Sequence, residues 1–235
     1  MEGCLTVAVP IVFDLDGTLI DSAPDIHAAV NAVLRDLGIV PLSLSRVRSF
    51  MGGGVDVLWQ KIVADRGLDP QGSPALVAAF MTRYQRATSL TSLLPGVTEA
   101  LGALADAGHP LGICTNKPML PTLAILDHFG LRQLFAQVIG GDSLPQRKPA
   151  PEPLWAALRA LGDDPAQPAG FFVGDSEYDA ACAAAADVPL LLFTRGYRLT
   201  AVERLPHRLA FDDFAALPAL VARLTGKAAA PAGIP

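Results

Sequence analysis

Residues 9–22, VPIVFDLDGTLIDS, run from an apolar, β-branched segment directly into two carboxylates that are followed by Gly-Thr. Alternate side chains of an extended chain point to the same side, so Asp14 and Asp16 lie together at the end of a predicted strand. Like charges this close raise each other's pKa, which makes the arrangement costly. The other interpretation is an ordinary turn that ends a strand, because Asp and Gly are common turn residues. The rest of the chain has to distinguish the two.

Size and composition bound the class of protein. The 235 residues are 51% hydrophobic and 17% charged, which suits one large domain or a domain with a sizeable insertion. No apolar run approaches the roughly 18 residues of a bilayer span, and no signal-peptide pattern opens the chain. The net charge of −5 disfavours nucleic acid as a partner. Cys4, Cys114 and Cys182 lack metal-ligand spacing and fit a reducing compartment, so we expect a cytoplasmic protein without a membrane partner.

Helical periodicity dominates residues 20–92. A helix is predicted to begin after Ser22, which is placed to cap it, and Gly38 is placed to end it. The further predicted helices span residues 43–50, 55–65 and 74–89. No strand is expected between Ser22 and Leu94, so this segment is predicted to be an all-helical unit.

Strands alternate with single helices after Pro95. The strands predicted there span residues 110–114, 135–139, 170–173, 189–193 and 208–211. This alternation is typical of an α/β fold with a doubly wound, Rossmann-like parallel sheet. We therefore predict a discontinuous core, residues 1–19 and 93–224, with the helical unit inserted after its first strand. The Ala/Pro/Gly-rich segment 225–235 is expected to be disordered.

Polar side chains follow the predicted core strands at the points where those strands end. In chain order these side chains are Asp14, Asp16, Thr115, Asn116, Lys148, Asp175 and Asp179. Ligands of open parallel sheets bind beyond the carboxyl ends of the strands. We therefore expect these groups to converge on one cleft, with the helical insertion above it as a lid.

Each of these groups also has a purely structural interpretation. Asp179 sits where an acidic residue caps a helix, and part of its role is expected to be capping. Thr115 and Asn116 have the spacing of an ordinary helix N-cap. Lys148 by itself is typical of a solvated loop lysine. Capping does not explain why four carboxylates should converge on one cleft.

The charge balance of the cleft points to a metal. Asp14, Asp16, Asp175 and Asp179 face a single cation, Lys148, and this excess of negative charge is strongly unfavourable. A hard divalent cation such as Mg²⁺ relieves it, since that ion binds through carboxylates, water and substrate phosphate. Carboxylates with a metal, a lysine and a hydroxyl suit phosphoryl transfer. The glycine-rich motifs of nucleotide-binding enzymes are absent from the sequence.

Four segments of the chain resemble, in order, the four motifs of the haloacid dehalogenase superfamily. They are DLDGT (14–18), TN (115–116), KP (148–149) and GDSEYD (174–179). Four segments resemble bacterial phosphoglycolate phosphatases in particular. They are TNKP (115–118), IGGD (139–142), KPAPEPL (148–154) and TRGY (194–197). The helical insertion is similar to the cap domain of that family.

The resemblance implies a role for each aspartate of the first motif. Asp14 is implied as the nucleophile that forms an aspartyl-phosphate. Asp16 is implied as the acid that protonates the leaving alkoxide and then takes a proton from water. Mg²⁺ is implied as the cofactor, held by the Asp14 carboxylate, the Asp16 carbonyl and the Asp175 carboxylate.

The same resemblance implies the groups that bind the phosphoryl oxygens. Thr115 and the Asn116 backbone amide are implied as phosphoryl ligands. Lys148 is implied to neutralise the nucleophile and the phosphoryl charge, and Asp179 to orient Lys148 or the water shell of the metal.

The function expected from this resemblance is Mg²⁺-dependent hydrolysis of a small phosphorylated metabolite, with 2-phosphoglycolate as the leading substrate. The alternatives are another small substrate, such as a sugar phosphate or pyrophosphate, and a β-phosphoglucomutase-like mutase. A non-catalytic binding module is disfavoured because Asp14 and Lys148 are both present. The glycine loop 52–54 is a candidate cap contact to substrate, with a flexible hinge between helices as the other interpretation. Arg46 and Arg48 are further candidates, although a solvated helix charge is the favoured interpretation of each. A monomer or homodimer is expected.

Overall fold

The computed structural model describes residues 8–164 and 166–226. Its strands, in chain order, are β1 (Ile11–Phe13), β2 (Ile20–Asp21), β3 (Ser92–Leu93), β4 (Leu111–Cys114), β5 (Gln137–Ile139), β6 (Phe171–Gly174), β7 (Leu190–Phe193) and β8 (Leu209–Phe211). Six of them form one sheet in the order β5-β4-β1-β6-β7-β8, and every neighbouring pair is parallel. The predicted doubly wound parallel sheet is confirmed.

Nine α-helices lie in the described part of the chain. They are α1 (Ala23–Asp36), α2 (Leu44–Arg48), α3 (Val55–Arg66), α4 (Ser73–Tyr84), α5 (Val97–Asp106), α6 (Met119–His128), α7 (Glu152–Ala160), α8 (Glu177–Ala186) and α9 (Leu217–Thr225). The helices after α4 cover both faces of the sheet. In β1, Ile11 and Phe13 pack with side chains of α5, α6 and α9, whereas Val12 packs with α7 and α8. This alternation follows from the two-residue repeat of a strand.

The helices α1 to α4 have a hydrophobic core of their own. Trp59 and Phe80 are fully buried at its centre, with ring centroids 6.0 Å apart in an edge-on arrangement. Such a pair adds directional stabilisation to the apolar area that it buries. Gly38 adopts a left-handed conformation (φ +68°) immediately after α1, so the predicted end of this helix is confirmed. None of the described helices combines the length and hydrophobicity that a membrane crossing requires.

Two chain segments connect the helical unit to the sheet, and they pair with each other. β2 and β3 form an antiparallel ladder in which Ile20 lies opposite Leu93. The expectation of no strand between Ser22 and Leu94 was therefore wrong, since β3 lies within that range. A two-residue ladder is too short to produce a visible hydrophobic alternation, so the sequence carries no signal for it. The Asp25 carboxylate also accepts hydrogen bonds from Leu90 N (3.1 Å) and the Thr91 hydroxyl (2.6 Å), which ties α1 to the returning segment.

Several predicted element ends differ from the structure. Helix α4 ends at Tyr84 rather than at residue 89, and α9 includes Thr225, which was assigned to the tail. Residues 227–235 of that tail lie outside the described residues. Ser22 precedes α1 as predicted, but its side chain does not cap the helix. Its hydroxyl instead donates to Asp16 Oδ1 at 2.5 Å, because the first motif lies directly against the start of α1.

Candidate active site

Asp14 lies at the carboxyl end of β1, the strand that occupies the middle of the sheet. Its backbone N–H donates to Val173 O of β6 at 2.8 Å, so the neighbouring strand fixes the position of the residue. The side chain is almost buried, and its Oδ1 atom lies 2.8 Å from Lys148 Nζ. The first motif therefore delivers a carboxylate to the sheet edge already paired with a cation.

Lys148 is buried between two carboxylates. It is only 2% exposed, and its Nζ atom lies 2.6 Å from Asp179 Oδ1 as well as 2.8 Å from Asp14 Oδ1. The interpretation of Lys148 as a solvated loop lysine was therefore wrong. Burial by itself lowers the pKa of the lysine, but the charges of Asp14 and Asp179 outweigh it and raise the pKa well above its ordinary value. The ammonium stays charged.

Asp179 accepts hydrogen bonds through both of its carboxylate oxygens. Its Oδ2 atom accepts from the Ser176 N–H (3.0 Å), the Ser176 hydroxyl (2.7 Å) and the Asp175 N–H (3.1 Å). Ser176 and Asp179 form a capping box at the start of α8, so the predicted capping role is confirmed. Its Oδ1 atom accepts from Lys148, and thus one side chain caps a helix and also orients the lysine.

Asp175 is fully buried in a tight cradle. Its Oδ1 atom accepts from the Thr18 hydroxyl at 2.8 Å, and its Oδ2 atom accepts from the Tyr197 N–H at 2.6 Å. A Cβ atom on Gly17 would lie 2.7 Å from Oδ2, and one on Gly196 would overlap the same carboxylate. Gly17 also has a φ of +88°, which side chains rarely tolerate. The close approach therefore requires glycine at both positions.

The carboxylates of this cluster have strongly perturbed pKa values. Burial raises the pKa of Asp14 to about 7, the nearby charge of Asp179 adds to this, and Lys148 opposes it. Burial and the charges of Asp179 and Asp14 raise the pKa of Asp175 well above its ordinary value. Both shifts have the same origin, which is a buried cluster with more carboxylates than cations.

The cluster suits a hard divalent cation. Carboxylate oxygens of Asp14, Asp175 and Asp179 lie within 4.8 Å of one another. Asp14 Oδ1 forms no hydrogen bond with any described residue, although it lies close to Lys148. Asp179 already accepts four hydrogen bonds, so Asp14 and Asp175 retain more capacity to coordinate an ion. Oxygen ligands of this kind are those that Mg²⁺ prefers.

Thr115 and Asn116 follow β4, but they do not cap a helix. Helix α6 begins at Met119, and the Thr115 hydroxyl accepts from the Lys117 N–H at 3.2 Å. The N-cap interpretation was therefore wrong. The Asn116 side chain donates to Gly52 O and to Lys148 O, both at 2.9 Å. It thus joins the loop between α2 and α3 to the core.

Asp16 is paired with Lys117, a residue that the sequence placed after β4 but to which it assigned no role. Lys117 Nζ lies 3.0 Å from Asp16 Oδ1 and also donates to the hydroxyl of Tyr84 at the end of α4. The side chain of Lys117 is only 4% exposed. Its position two residues after Thr115 placed it near the cleft. Nothing in the sequence indicated that a residue from the helical unit would meet it.

A cavity of about 50 Å³ separates this sheet edge from the helical unit. This volume has room for a few water molecules, so the space suits a small substrate. The core lines it with Asp14, Asp16, Thr115, Asn116, Lys117 and Pro118. The helical unit contributes the side chains of Ile26, Met51, Val55, Leu58, Phe80 and Tyr84, with the glycine loop 52–54 at the rim.

The two arginines proposed as cap contacts to substrate have other partners. Arg46 lies 2.5 Å from Asp65, and both belong to the helical unit. Arg48 donates to both oxygens of Asp21 in β2, at 3.2 Å and 3.0 Å. Neither arginine is among the described residues that line the cavity.

Comparison with known proteins gives one consistent family. A family model described as haloacid dehalogenase-like hydrolase matches residues 11–193. The phosphoglycolate phosphatase of Rhodobacter capsulatus is 46% identical over 217 residues, which cover 92% of this chain and 97% of that protein. The phosphoglycolate phosphatase of Rhodospirillum rubrum is 40% identical over 214 residues, 88% of each chain.

The solved structures agree with this assignment. A crystal structure described as a predicted phosphoglycolate phosphatase from Haemophilus somnus 129PT superimposes with a TM-score of 0.83 at 33% identity, covering 91% of this chain and 97% of that one. The chain therefore belongs to the haloacid dehalogenase-like hydrolase family, is an enzyme of the phosphoric monoester hydrolase class, and is similar over most of its length to bacterial phosphoglycolate phosphatases.

Proposed function

We propose that this protein hydrolyses 2-phosphoglycolate to glycolate and inorganic phosphate. The observation that carries the proposal is the buried cluster of Asp14, Lys148 and Asp175 at the sheet edge, from which Asp14 lines a small cavity beneath the helical unit. The curated relatives that match nearly the full chain bear the name phosphoglycolate phosphatase, and this supports the choice of substrate.

In the first step that we propose, a carboxylate oxygen of Asp14 attacks the phosphorus atom of the substrate. A bond forms between that oxygen and phosphorus, and the bond from phosphorus to the glycolate oxygen breaks. Asp16 donates a proton to the leaving alkoxide, so glycolate departs as the hydroxy acid anion. The product left on the enzyme is an aspartyl-phosphate at Asp14.

In the second step, Asp16 takes a proton from a water molecule that attacks the same phosphorus atom. The bond between phosphorus and the Asp14 oxygen breaks, and inorganic phosphate is released. Asp16 is then protonated again and Asp14 is a free carboxylate, so the cycle closes. Asp16 lines the same cavity as Asp14, two residues further along the chain, and this supports its use on both sides of the reaction.

Mg²⁺ fits this site, and Asp14, Asp175 and the Asp16 carbonyl are the groups that we propose would hold it. When bound, the ion neutralises phosphoryl charge and orients the substrate. Lys148 supplies a fixed positive charge beside Asp14, and Asp179 holds that lysine in place.

The remaining phosphoryl ligands come from the turn after β4. We assign Thr115 and the Asn116 backbone amide to this role, because both line the cavity next to Asp14. Oriented donors of this kind stabilise the charge that develops on the phosphoryl oxygens in the transition state.

We also propose that the enzyme works in the cytoplasm. Cys114 and Cys182 are both buried free thiols in the described part of the chain, which fits a reducing compartment.

The test is a panel of small phosphate esters assayed for phosphate release with Mg²⁺ and with EDTA. The panel contains 2-phosphoglycolate, glycerol phosphates, hexose phosphates and pyrophosphate. We expect the highest kcat/KM for 2-phosphoglycolate and no turnover in EDTA. A clear preference for another ester would reject the substrate assignment. Conversion of a hexose 1-phosphate to its 6-phosphate without phosphate release would indicate a mutase.

A further inference from the structure

Lys117 joins the two halves of the cavity. Its Nζ atom lies 3.0 Å from Asp16 Oδ1 on the core side and donates to the Tyr84 hydroxyl on the cap side. The same ammonium lies 4.6 Å from the centroid of the Tyr84 ring. Burial of a lysine head group is expensive unless charged or polar partners surround it. Asp16 and Tyr84 supply such partners, and they hold the ammonium at the junction of the core and the cap.

The cavity lining has a clear charge pattern. Among the described lining residues, Lys117 is the one cation, whereas Asp14 and Asp16 are the carboxylates. The cap side adds apolar side chains and one hydroxyl, that of Tyr84. If a substrate in this cavity carries an anionic group besides its phosphate, Lys117 is the cation among these lining residues that can pair with it.

Hydrogen-bond capacity remains at the same place. A lysine ammonium has three N–H donors, and the contacts of Lys117 with described residues use two of them. The Tyr84 hydroxyl accepts from Lys117, and its own O–H has no acceptor among the described residues. Burial and the charges of Asp16 and Asp25 raise the pKa of Tyr84 well above its ordinary value, so this hydroxyl keeps its proton. One N–H of Lys117 and the O–H of Tyr84 are thus neighbouring donors without an acceptor among the described residues.

We propose that Lys117 and Tyr84 together bind the carboxylate of the substrate. They would thus select a phosphate ester of a 2-hydroxy acid over a phosphate ester of equal size whose alcohol part is uncharged. The proposal rests on the proposed function, which it refines by naming the residues that determine specificity. A carboxylate offers two acceptor oxygens, which match the two unused donors. Lys117 lies two residues from Thr115, so this carboxylate subsite adjoins the proposed phosphoryl subsite.

A simpler role for Lys117 predicts a different result. If the lysine only neutralised Asp16, its loss would lower turnover of all phosphate esters by a similar factor. If it binds the substrate carboxylate, its loss lowers turnover selectively for the ester that carries one. The ratio of two kcat/KM values therefore distinguishes the roles, because damage to the acid/base group cancels in the ratio.

The experiment compares 2-phosphoglycolate with ethyl phosphate, in which a methyl group replaces the carboxylate. Wild type, Lys117→Met and Tyr84→Phe are assayed in saturating Mg²⁺. We expect Lys117→Met to lower the ratio of kcat/KM values by about 10- to 100-fold, the loss of a hydrogen bond to a charged group. Tyr84→Phe should lower it by about 3- to 10-fold, as for a neutral donor.

Lys61→Met is the matched control. It makes the same substitution at a lysine of the cap. Lys61 Nζ donates to Phe50 O, and Lys61 is not among the residues that line the cavity. The ratio should stay at the wild-type value in this variant. Equal losses on both esters in Lys117→Met, with an unchanged ratio in Tyr84→Phe, would overturn the proposal. Should Lys117→Met fail to fold, Tyr84→Phe provides the test. A lowered ratio of kcat/KM values in this variant supports the proposal, and an unchanged ratio overturns it.

Failure of the proposed function would be visible in the wild type alone. A wild-type enzyme that prefers ethyl phosphate over 2-phosphoglycolate rejects the substrate assignment, and with it the carboxylate subsite. A wild type that prefers 2-phosphoglycolate, with unchanged ratios in both variants, rejects only the roles of Lys117 and Tyr84.

Discussion

The two halves of the cavity differ in how their polar groups are held. On the core side, Asp175 and Asp179 each contact several donors from the core itself, and Lys148 bridges two carboxylates. On the cap side the wall is apolar apart from the Tyr84 hydroxyl and the backbone of the glycine loop. The groups that we propose as reactive are therefore held by contacts within the core, whereas the cap side offers an apolar wall with few polar groups.

Few polar contacts cross between the halves. Asn116 donates to Gly52 O, Arg147 lies 3.0 Å from Asp56, and Lys117 meets Tyr84. Opening the cap breaks these contacts and leaves the charge cluster intact. Such an arrangement suits an enzyme whose cap opens to admit the substrate and closes over it during the reaction.

A separate set of contacts connects the cap to the core at the linking strands β2 and β3. Arg48 of α2 pairs with Asp21 of β2 and lies over the Tyr197 ring at 5.3 Å. The Tyr197 hydroxyl donates to Asp21 at 2.6 Å, and its backbone N–H donates to Asp175. The position of the cap is thus connected to a proposed metal ligand through a single tyrosine.

The largest effect is expected from Asp14→Asn in the core half. The amide has the same shape but lacks the nucleophilic oxygen, so kcat should fall by about four orders of magnitude or more. Thermal unfolding should show an intact fold, because the change removes a buried charge from an overcharged cluster. Asp36→Asn, an exposed residue of the cap paired with Arg83, is the control and should keep full activity. Full activity in Asp14→Asn would rule out the covalent mechanism.

The next effect concerns stability. Lys148→Met leaves Asp14 and Asp179 buried without their cation, so the free energy of unfolding should fall by about 3–5 kcal/mol in urea titrations. Lys61→Met should change it by much less, since Lys61 is a cap residue with one long contact to Phe50 O. Adding Asp179→Asn to Lys148→Met should restore part of the loss. A Lys148→Met protein as stable as wild type would mean that the core half does not depend on this pairing.

The dependence on Mg²⁺ is expected to change with pH. The folded-state pKa of Asp14, about 7, lies above its ordinary value of 3.8, so the folded chain holds this proton more tightly than the unfolded chain. In EDTA, the contribution of this proton to the free energy of unfolding is fully present below about pH 4. It is lost as the pH rises through 7. Because a metal needs the deprotonated carboxylate, stabilisation by Mg²⁺ should grow over the same rise.

This dependence is measured by thermal unfolding in Mg²⁺ and in EDTA between pH 5.5 and 8.5, a range that brackets the folded-state pKa of Asp14. At about 100 times its dissociation constant, Mg²⁺ should add roughly 2–3 kcal/mol at the upper end of the range. The Asp14→Asn variant should lose most of the pH dependence. A Mg²⁺ effect that is constant across the range would contradict the assignment of Asp14 as a metal ligand.

The smallest effect is expected at the junction of the halves. Arg48→Ala removes the contacts with Asp21 and Tyr197, which should raise KM by about 3- to 10-fold with little change in kcat. Arg46→Ala is a close control, because Arg46 lies on the same helix and pairs with Asp65 inside the cap. Steady-state kinetics on both variants make the comparison. Equal changes in the two would mean that the link to Tyr197 has no functional role.

The convergence of the reactive groups was predictable from the sequence because it follows from the topology. Alternating strands and helices imply a parallel sheet, and the carboxyl ends of parallel strands meet at one edge. Asp14 and Asp175 directly follow strand ends, Asp179 lies in the first turn of α8, and Lys148 lies in the loop between β5 and α7. The structure brings all four together. The same reasoning predicted the capping role of Asp179 from its place at the start of α8.

Most of the contacts that the sequence did not reveal join segments far apart in the chain. Lys117 meets Tyr84, Asn116 meets Gly52 and Tyr197 meets Asp21, and β2 pairs with β3 across the whole helical unit. Local periodicity carries no information about such pairs, because it reports only which face of an element is apolar.

The sequence by itself therefore determined the α/β sheet, the inserted helical unit and the order of the reactive residues along one edge. Only the tertiary structure decided that Ser22 bonds to Asp16 instead of capping α1, and that Lys117 is buried between Asp16 and Tyr84. The reason is physical, since a strand end is specified by neighbouring residues, whereas the partner of a buried charge depends on how the cap packs against the core.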